Sequence, residues 1–142
     1  MSMCQFSEGV QVENTGVLKG IKVMVIDDSN TIRKSAEIFL RPFGCQVILA
    51  EDGFEAMSKI VENQPDIIFV DITMPRLDGY QTCKLIKNNP IYQSTPVVML
   101  SSKDGLFDKA RGRMAGSNDY LTKPFTAEGL LSIIRSYTLQ PN

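Results

Sequence analysis

The sequence predicts an α/β domain built on a doubly wound, five-stranded parallel sheet with helices on both faces. Three observations carry this reading. The runs Val23-Met24-Val25-Ile26, Ile67-Ile68-Phe69-Val70 and Val97-Val98-Met99-Leu100 are continuously apolar, as strands buried on both faces are. Segments with helical apolar spacing alternate with them, the pattern of βαβ units. The chain of 142 residues suits one domain with a full core.

Residues 1–20 show no sustained periodicity and are punctuated by Gly9, Asn14, Gly16 and Gly20, which reads as a flexible leader, with Val10 to Leu18 able to touch the domain. The first strand is Ile21–Ile26. The first helix runs from Asn30 to Arg41, because Ile32, Ala36, Phe39 and Leu40 recur at i, i+4, i+7 and i+8. Ser29 or Asn30 can cap it, and Pro42 and Gly44 end it. The second strand is Cys45–Ala50. Gly53 opens a second helix to Asn63, with Asp52 at its start, and Pro65 precedes the third strand, Asp66–Val70.

Pro75 and Gly79 mark a loop after Asp71, with Asp78 a loop or cap residue. The third helix spans Tyr80 to Asn88, and Asn89-Pro90 opens a longer connection. The fourth strand is Pro96–Leu100. The fourth helix, Leu106 to Ala115, contains Gly112, which costs about 1 kcal/mol against alanine in a helix interior. The fifth strand is Asp119–Leu121. A fifth helix follows from Thr126, where Ala127, Leu130, Leu131 and Ile134 share a face and Tyr137 extends it. The domain is expected over 21–138, with 139–142 as a tail.

Right-handed crossovers restrict the topology, and the flavodoxin-like strand order 2-1-3-4-5 is the natural solution. Ligands of such sheets bind at the carboxyl ends of the strands. Those ends carry a pointed set of residues here. Asp27 and Asp28 follow the first strand, Asp71 the third, Ser101 the fourth and Lys123-Pro124 the fifth. Each alone has an ordinary explanation as a cap, a turn residue or a surface charge. Together they place three acids, a hydroxyl and a lysine in one pocket, a set that suits one Mg²⁺ ion and one phosphoryl group.

Composition excludes other classes. There is no histidine, which removes Ser-His-Asp triads and His-rich metal sites and prevents the chain from being a phosphohistidine carrier. The net charge of −1 suggests neither nucleic acid nor an anionic membrane as a partner. No signal peptide or membrane-length apolar stretch is read, so a cytoplasmic location is expected. Cys4, Cys45 and Cys83 lack metal-like spacing and read as free thiols, the latter two as core fillers.

The segments Val25-Ile26-Asp27-Asp28-Ser29, Asp71-Ile72-Thr73-Met74-Pro75-Arg76-Leu77-Asp78-Gly79 and Asp119-Tyr120-Leu121-Thr122-Lys123-Pro124-Phe125 closely resemble the receiver domain of bacterial two-component response regulators, the CheY-like fold. The resemblance covers residues 21 to about 138. Tyr80 to Asn89 and Met99 to Lys109 resemble the single-domain regulators of type IV pilus, or twitching, motility.

The resemblance implies roles. Asp71 accepts the phosphoryl group. Asp28, Asp71 and the Thr73 backbone carbonyl ligate Mg²⁺, and Asp27 acts through metal-bound water. Lys123 and the Ser101 hydroxyl neutralise phosphoryl oxygens. Ser101 and Tyr120 form the switch that changes the surface of the fourth helix, fifth strand and fifth helix. Lys123-Pro124 is a candidate cis peptide. Lys103, Lys109, Arg111 and Arg113 are candidates for a partner surface facing an acidic target. The expected phosphodonor is a chemotaxis-type histidine kinase. The expected target is a protein, a pilus motor or assembly component. Thr73 and Lys103 differ from the amide and the acid at the matching positions of CheY, so the phosphoryl lifetime does not carry over.

Alternatives of other classes are weaker on the residues. A phosphohydrolase of the haloacid-dehalogenase type needs an acid two residues after the nucleophile, where Thr73 stands. Self-phosphorylation from phosphodonors and self-dephosphorylation are then the only reactions expected, rather than enzymatic turnover. A phosphorylation-independent interaction module with a receiver fold would usually have lost an acid or the lysine. No G-x-G-x-x-G follows the first strand, which argues against dinucleotide binding.

Overall fold

A computed structural model describes residues 16–102 and 106–139. Its sheet contains β1 (Lys22–Ile26), β2 (Gln46–Ala50), β3 (Ile67–Asp71), β4 (Val97–Ser101) and β5 (Asp119–Thr122), all parallel, in the order β2-β1-β3-β4-β5. The helices are α1 (Asn30–Leu40), α2 (Gly53–Asn63), α3 (Gly79–Asn88), α4 (Leu106–Met114) and α5 (Ala127–Thr138). A short 3-10 turn, Arg41–Phe43, extends α1, and Gly44 closes it at φ +84. The third and fourth strands each run one residue further than predicted, so Asp71 and Ser101 are themselves the last strand residues.

Strand residues alternate between two cores. Met24, Ile26, Ile68, Val70 and Met99 pack with Ala56, Ile60, Cys83 and Ile86 on the side covered by α2 and α3. Val23, Val25, Ile67, Phe69, Val98 and Leu100 pack with Ala36, Leu40, Leu130 and Ile134 beneath α1 and α5. At ~25 cal/mol per Å² of buried apolar surface, these two layers dominate the stabilisation. The edge strand β2 is less buried than β1, β3 or β4.

Local chemistry sets the helix starts. Ser29, Asp52, Asp78 and Thr126 are N-caps, accepting from Ile32 N, Glu55 N, Gln81 N and Gly129 N respectively. Asp78 and Gln81 complete a reciprocal capping box. Gly112 has a packing reason: a Cβ there would lie 3.2 Å from Met99 Cγ and 3.1 Å from Ser117 Oγ. Its absence lets α4 lie close to β4. Both described thiols are free. Burial pushes Cys83 up to about 11, which keeps it an inert core residue.

Residues 16–20, grouped from the sequence with the leader, form a turn packed on the domain. Gly16 N donates to Pro42 O and Leu18 N to Phe43 O, and the Leu18 side chain is fully buried beside Leu40 and Val23. The rest of the leader and residues 140–142 of the tail lie outside the described residues.

Candidate phosphoacceptor site

Neighbouring strands β1 and β3 end side by side, with Ile26 in register with Val70. The residues that follow are Asp27 and Asp28 on one strand and Asp71 on the other. Asp27 is fully buried, Asp71 nearly so, and Asp28 is exposed. Each offers a carboxylate oxygen, and these oxygens lie within 4.8 Å of one another. From the far side of the pocket Lys123 Nζ reaches Asp71 Oδ1 at 3.0 Å and Asp27 Oδ2 at 3.1 Å. With all four groups ionised, three carboxylates against one ammonium leave a formal charge of −2.

The backbone fixes these positions. Asp27 Oδ1 accepts from Ser29 N at 2.9 Å, and its carbonyl accepts from Arg33 Nη1 at 2.6 Å. Asp71 Oδ1 also accepts a long bond from Thr73 N at 3.4 Å. Lys123 N donates to Ser101 O at 2.6 Å, so the strand ends of β4 and β5 are joined at the pocket. The Lys123–Pro124 peptide bond is cis. Ser101 is buried at the end of β4, beside Leu100, which is in register with Asp71.

Burial pushes the Asp71 carboxyl up to about 6; the Lys123 hydrogen bond opposes this, and the nearby Asp27 charge adds to it. Burial also works against the Lys123 charge, but hydrogen bonding to Asp71 and the two carboxylate charges outweigh it and hold the ammonium above its ordinary value. A buried carboxylate kept partly protonated near neutrality is one that lacks enough positive charge. A hard divalent cation with oxygen preference supplies it, so the donor set fits Mg²⁺.

The remaining predicted residues fall in two places. Thr73 is exposed on the loop after β3. Tyr120 is half-buried in β5, with its hydroxyl enclosed and without a hydrogen-bond partner among the described residues. Lys109 Nζ lies 5.5 Å from the Tyr120 ring centroid, and Lys109 and Arg113 line a cavity of about 190 Å³ with Asp119 and Tyr120. Arg111 points the other way, 4.4 Å from the Tyr80 ring of α3. The predicted basic face of α4 is therefore divided between two flanks. Lys103 lies outside the described residues.

Sequence reasoning missed two contributors. Gly79 approaches the end of β3 so closely that a Cβ would lie 2.7 Å from Ile72 Cα and overlap the Asp71 carbonyl. Its N–H donates to Ile72 O at 2.9 Å. Arg33 was the other; its one legible signal is a cation in the first turn of a helix that begins at an acidic pair.

The comparisons with known proteins decide the family. The model of the response regulator receiver domain matches residues 23–135. The chain belongs to this family. Receiver domains are the phosphoryl-accepting modules of two-component systems, take that group from histidine kinases and typically bind Mg²⁺. Protein PilG of Pseudomonas aeruginosa is 66% identical over 118 residues, covering 83% of this chain and 87% of PilG. Response regulator MprA of a Mycobacterium species is 36% identical over 82% of the chain, which spans about half of MprA's length. Among solved structures, the receiver domain matches the chemotaxis protein CheY4 of Vibrio cholerae with a TM-score of 0.79 at 32% identity, covering 82% of this chain and 98% of CheY4. No described helix is long and apolar enough to cross a membrane.

Proposed function

We propose that this receiver takes its phosphoryl group on Asp71 from a phosphohistidine of a chemotaxis-type kinase and passes the signal to a protein target in type IV pilus motility. The observation that carries the acceptor assignment is the Lys123 ammonium bridging Asp27 and Asp71 at 3.1 and 3.0 Å. The pilus assignment rests on the motif resemblance and is supported by the 66% identity to PilG.

In the transfer an Asp71 carboxylate oxygen forms a bond to phosphorus as the phosphorus–nitrogen bond to the donor imidazole breaks. The nitrogen leaves with the electron pair and takes up a proton. Asp28, Asp71 and the Thr73 carbonyl would hold Mg²⁺, with Asp27 reaching it through water. Bound there, Mg²⁺ supplies charge neutralisation for phosphoryl oxygens. Lys123 turns from its carboxylate partners to a second phosphoryl oxygen, a role suited to a compact charge on a flexible stem. The Ser101 hydroxyl takes a third.

Drawing Ser101 inward opens space near Tyr120, whose rotation changes the face formed by α4, β5 and α5. Lys109 and Arg113, which flank Tyr120, are the cations best placed to meet an acidic target there. The chain turns over no external substrate, because Thr73 replaces the acid that a phosphohydrolase needs. Intact mass after incubation with Mg²⁺ and acetyl phosphate tests the proposal. One phosphoryl group is expected on the wild type and none on Asp71→Ala. An unmodified wild type that also forms no beryllofluoride complex would favour an interaction module that signals by binding alone.

A further inference from the structure

We infer that Arg33 is a positioning residue for the metal site. By holding the Asp27–Asp28 peptide it aims the Asp28 carboxylate, and so sets the affinity for Mg²⁺. The inference rests on the reading of Asp28 as a metal ligand.

Asp28 is the acid with the least to hold it. Asp27 is fully buried and Asp71 nearly so, and both accept from Lys123 Nζ. Asp28 is exposed, and among the described residues its carboxylate takes part in no hydrogen bond or ion pair. Its oxygen nevertheless lies within 4.8 Å of those of Asp27 and Asp71. The backbone on either side of Asp28 must therefore set its direction.

That backbone is pinned on both sides. After Asp28, Ser29 N donates to Asp27 Oδ1 at 2.9 Å, a local turn that Asp27 makes for itself. Before Asp28, the Asp27 carbonyl accepts from Arg33 Nη1 at 2.6 Å, and this bond needs a side chain six positions along the chain. Asp27 N still donates to Ala50 O of β2, but β1 ends at Ile26, and it is Arg33 that meets the carbonyl beyond the strand end. A peptide unit is planar, so a bond to its oxygen also fixes where the Asp28 nitrogen and Cα lie.

The position of Arg33 in α1 is otherwise unfavourable. A cation in the first turn of a helix sits at the positive end of the macrodipole, and the first turn of α1 holds no acid to offset it. What the half-buried side chain gains there is the carbonyl. Long helical side chains lean toward the helix N-terminus, which carries Arg33 back over the turn at Asp27. Its Nη2 donates to Asn30 Oδ1 at 3.3 Å, which steadies the plane of the guanidinium.

Positioning and plain charge predict opposite results. The pocket carries a formal charge of −2 with its four groups ionised. A guanidinium acting only through its charge repels a metal ion, so its removal would tighten Mg²⁺ binding. A guanidinium that aims Asp28 has the reverse effect, because its removal leaves a ligand without direction. Groups that orient a metal ligand in this way are worth about tenfold or more in metal affinity.

The test titrates the ¹⁵N-labelled full-length protein with MgCl₂ and follows its amide shifts, for the wild type, Arg33→Ala, Arg33→Lys and Asp28→Asn, each well below its own melting temperature. Arg33→Ala is expected to weaken Mg²⁺ by about tenfold. Arg33→Lys, which keeps a charge and a donor on a long stem, should bind within about threefold of the wild type. In acetyl phosphate reactions followed by intact mass, Arg33→Ala should raise the Mg²⁺ requirement by the same factor and leave the rate at saturating Mg²⁺ within about threefold. Tighter or unchanged Mg²⁺ binding by Arg33→Ala, beside a weakened Asp28→Asn, would overturn this inference alone. So would Arg33→Lys binding no better than Arg33→Ala. Asp28→Asn that binds Mg²⁺ like the wild type would overturn the reading of Asp28 as a ligand, and this inference with it.

Discussion

Lys123 Nζ and Asp71 Oδ1 are 3.0 Å apart, so the resting acceptor is already held by the group proposed to receive the phosphoryl oxygen. Lys123→Met removes that cation and leaves Asp27 and Asp71 buried together. Stability without Mg²⁺ at pH 7.5 is expected to fall by about 2–4 kcal/mol, because an uncompensated buried charge costs far more than a lost surface pair. Mg²⁺ should restore much of it. Phosphoryl incorporation should fall at least tenfold even with Mg²⁺ saturating. Urea titrations with and without Mg²⁺, beside intact mass, measure both.

The Asp71 carboxyl, raised from 3.8 to about 6, makes stability depend on pH in a definite direction. Between about pH 4 and pH 6 the folded chain keeps a proton that the unfolded chain has released. The stability linked to this group is thus fully present below about pH 4 and is lost as pH rises through about 6, by about 2–3 kcal/mol in total. Asp71→Asn should abolish this contribution and raise the metal-free melting temperature at pH 7.5. An unchanged slope between pH 4 and 6 in that variant would contradict the assignment. Mg²⁺ affinity of the wild type should also weaken below about pH 6, where proton and cation compete.

Gly79→Ala forces a methyl group against the Asp71 carbonyl and Ile72. Destabilisation of about 2–3 kcal/mol is expected, since the obstacle is strand backbone and not a flexible side chain. Phosphorylation should slow beyond what reduced folded population explains. Comparing initial rates well below the melting temperature separates the two effects.

Tyr120 buries a hydroxyl without a partner among the described residues. Tyr120→Phe should therefore be neutral or stabilise the resting protein by up to about 1 kcal/mol, because a buried unsatisfied hydroxyl is unfavourable. Tyr120→Ala should still accept phosphate but lose the dependence of partner binding on it. Phospho-dependent binding that survives in Tyr120→Ala would remove Tyr120 from the switch.

The strand order and the meeting of Asp27, Asp28, Asp71 and Lys123 were legible because apolar runs fix strands and right-handed crossovers fix their order. Asp52, Asp78 and Ser29 were legible as helix starts for the same local reason that makes them caps. Gly79 was not, because closeness to Asp71 is a property of the folded loop and a glycine before a helix has many uses. The split of Arg111 from Lys109 and Arg113 was legible in the spacing, since at about 100° per residue Arg111 lies about 200° from Lys109 while Arg113 lies only about 40° from it. Hidden were the aromatics that Lys109 and Arg111 meet, Tyr120 and Tyr80, which come from other elements.

Leu18 fills the space between α1 and the sheet from outside the sheet itself. A protein trimmed to start at its first strand would carry a leucine-sized hole near Val23 and Leu40, a loss of about 2–5 kcal/mol by analogy with buried leucine truncations. Tags and fusion partners joined after residue 15 would act on the folding unit itself.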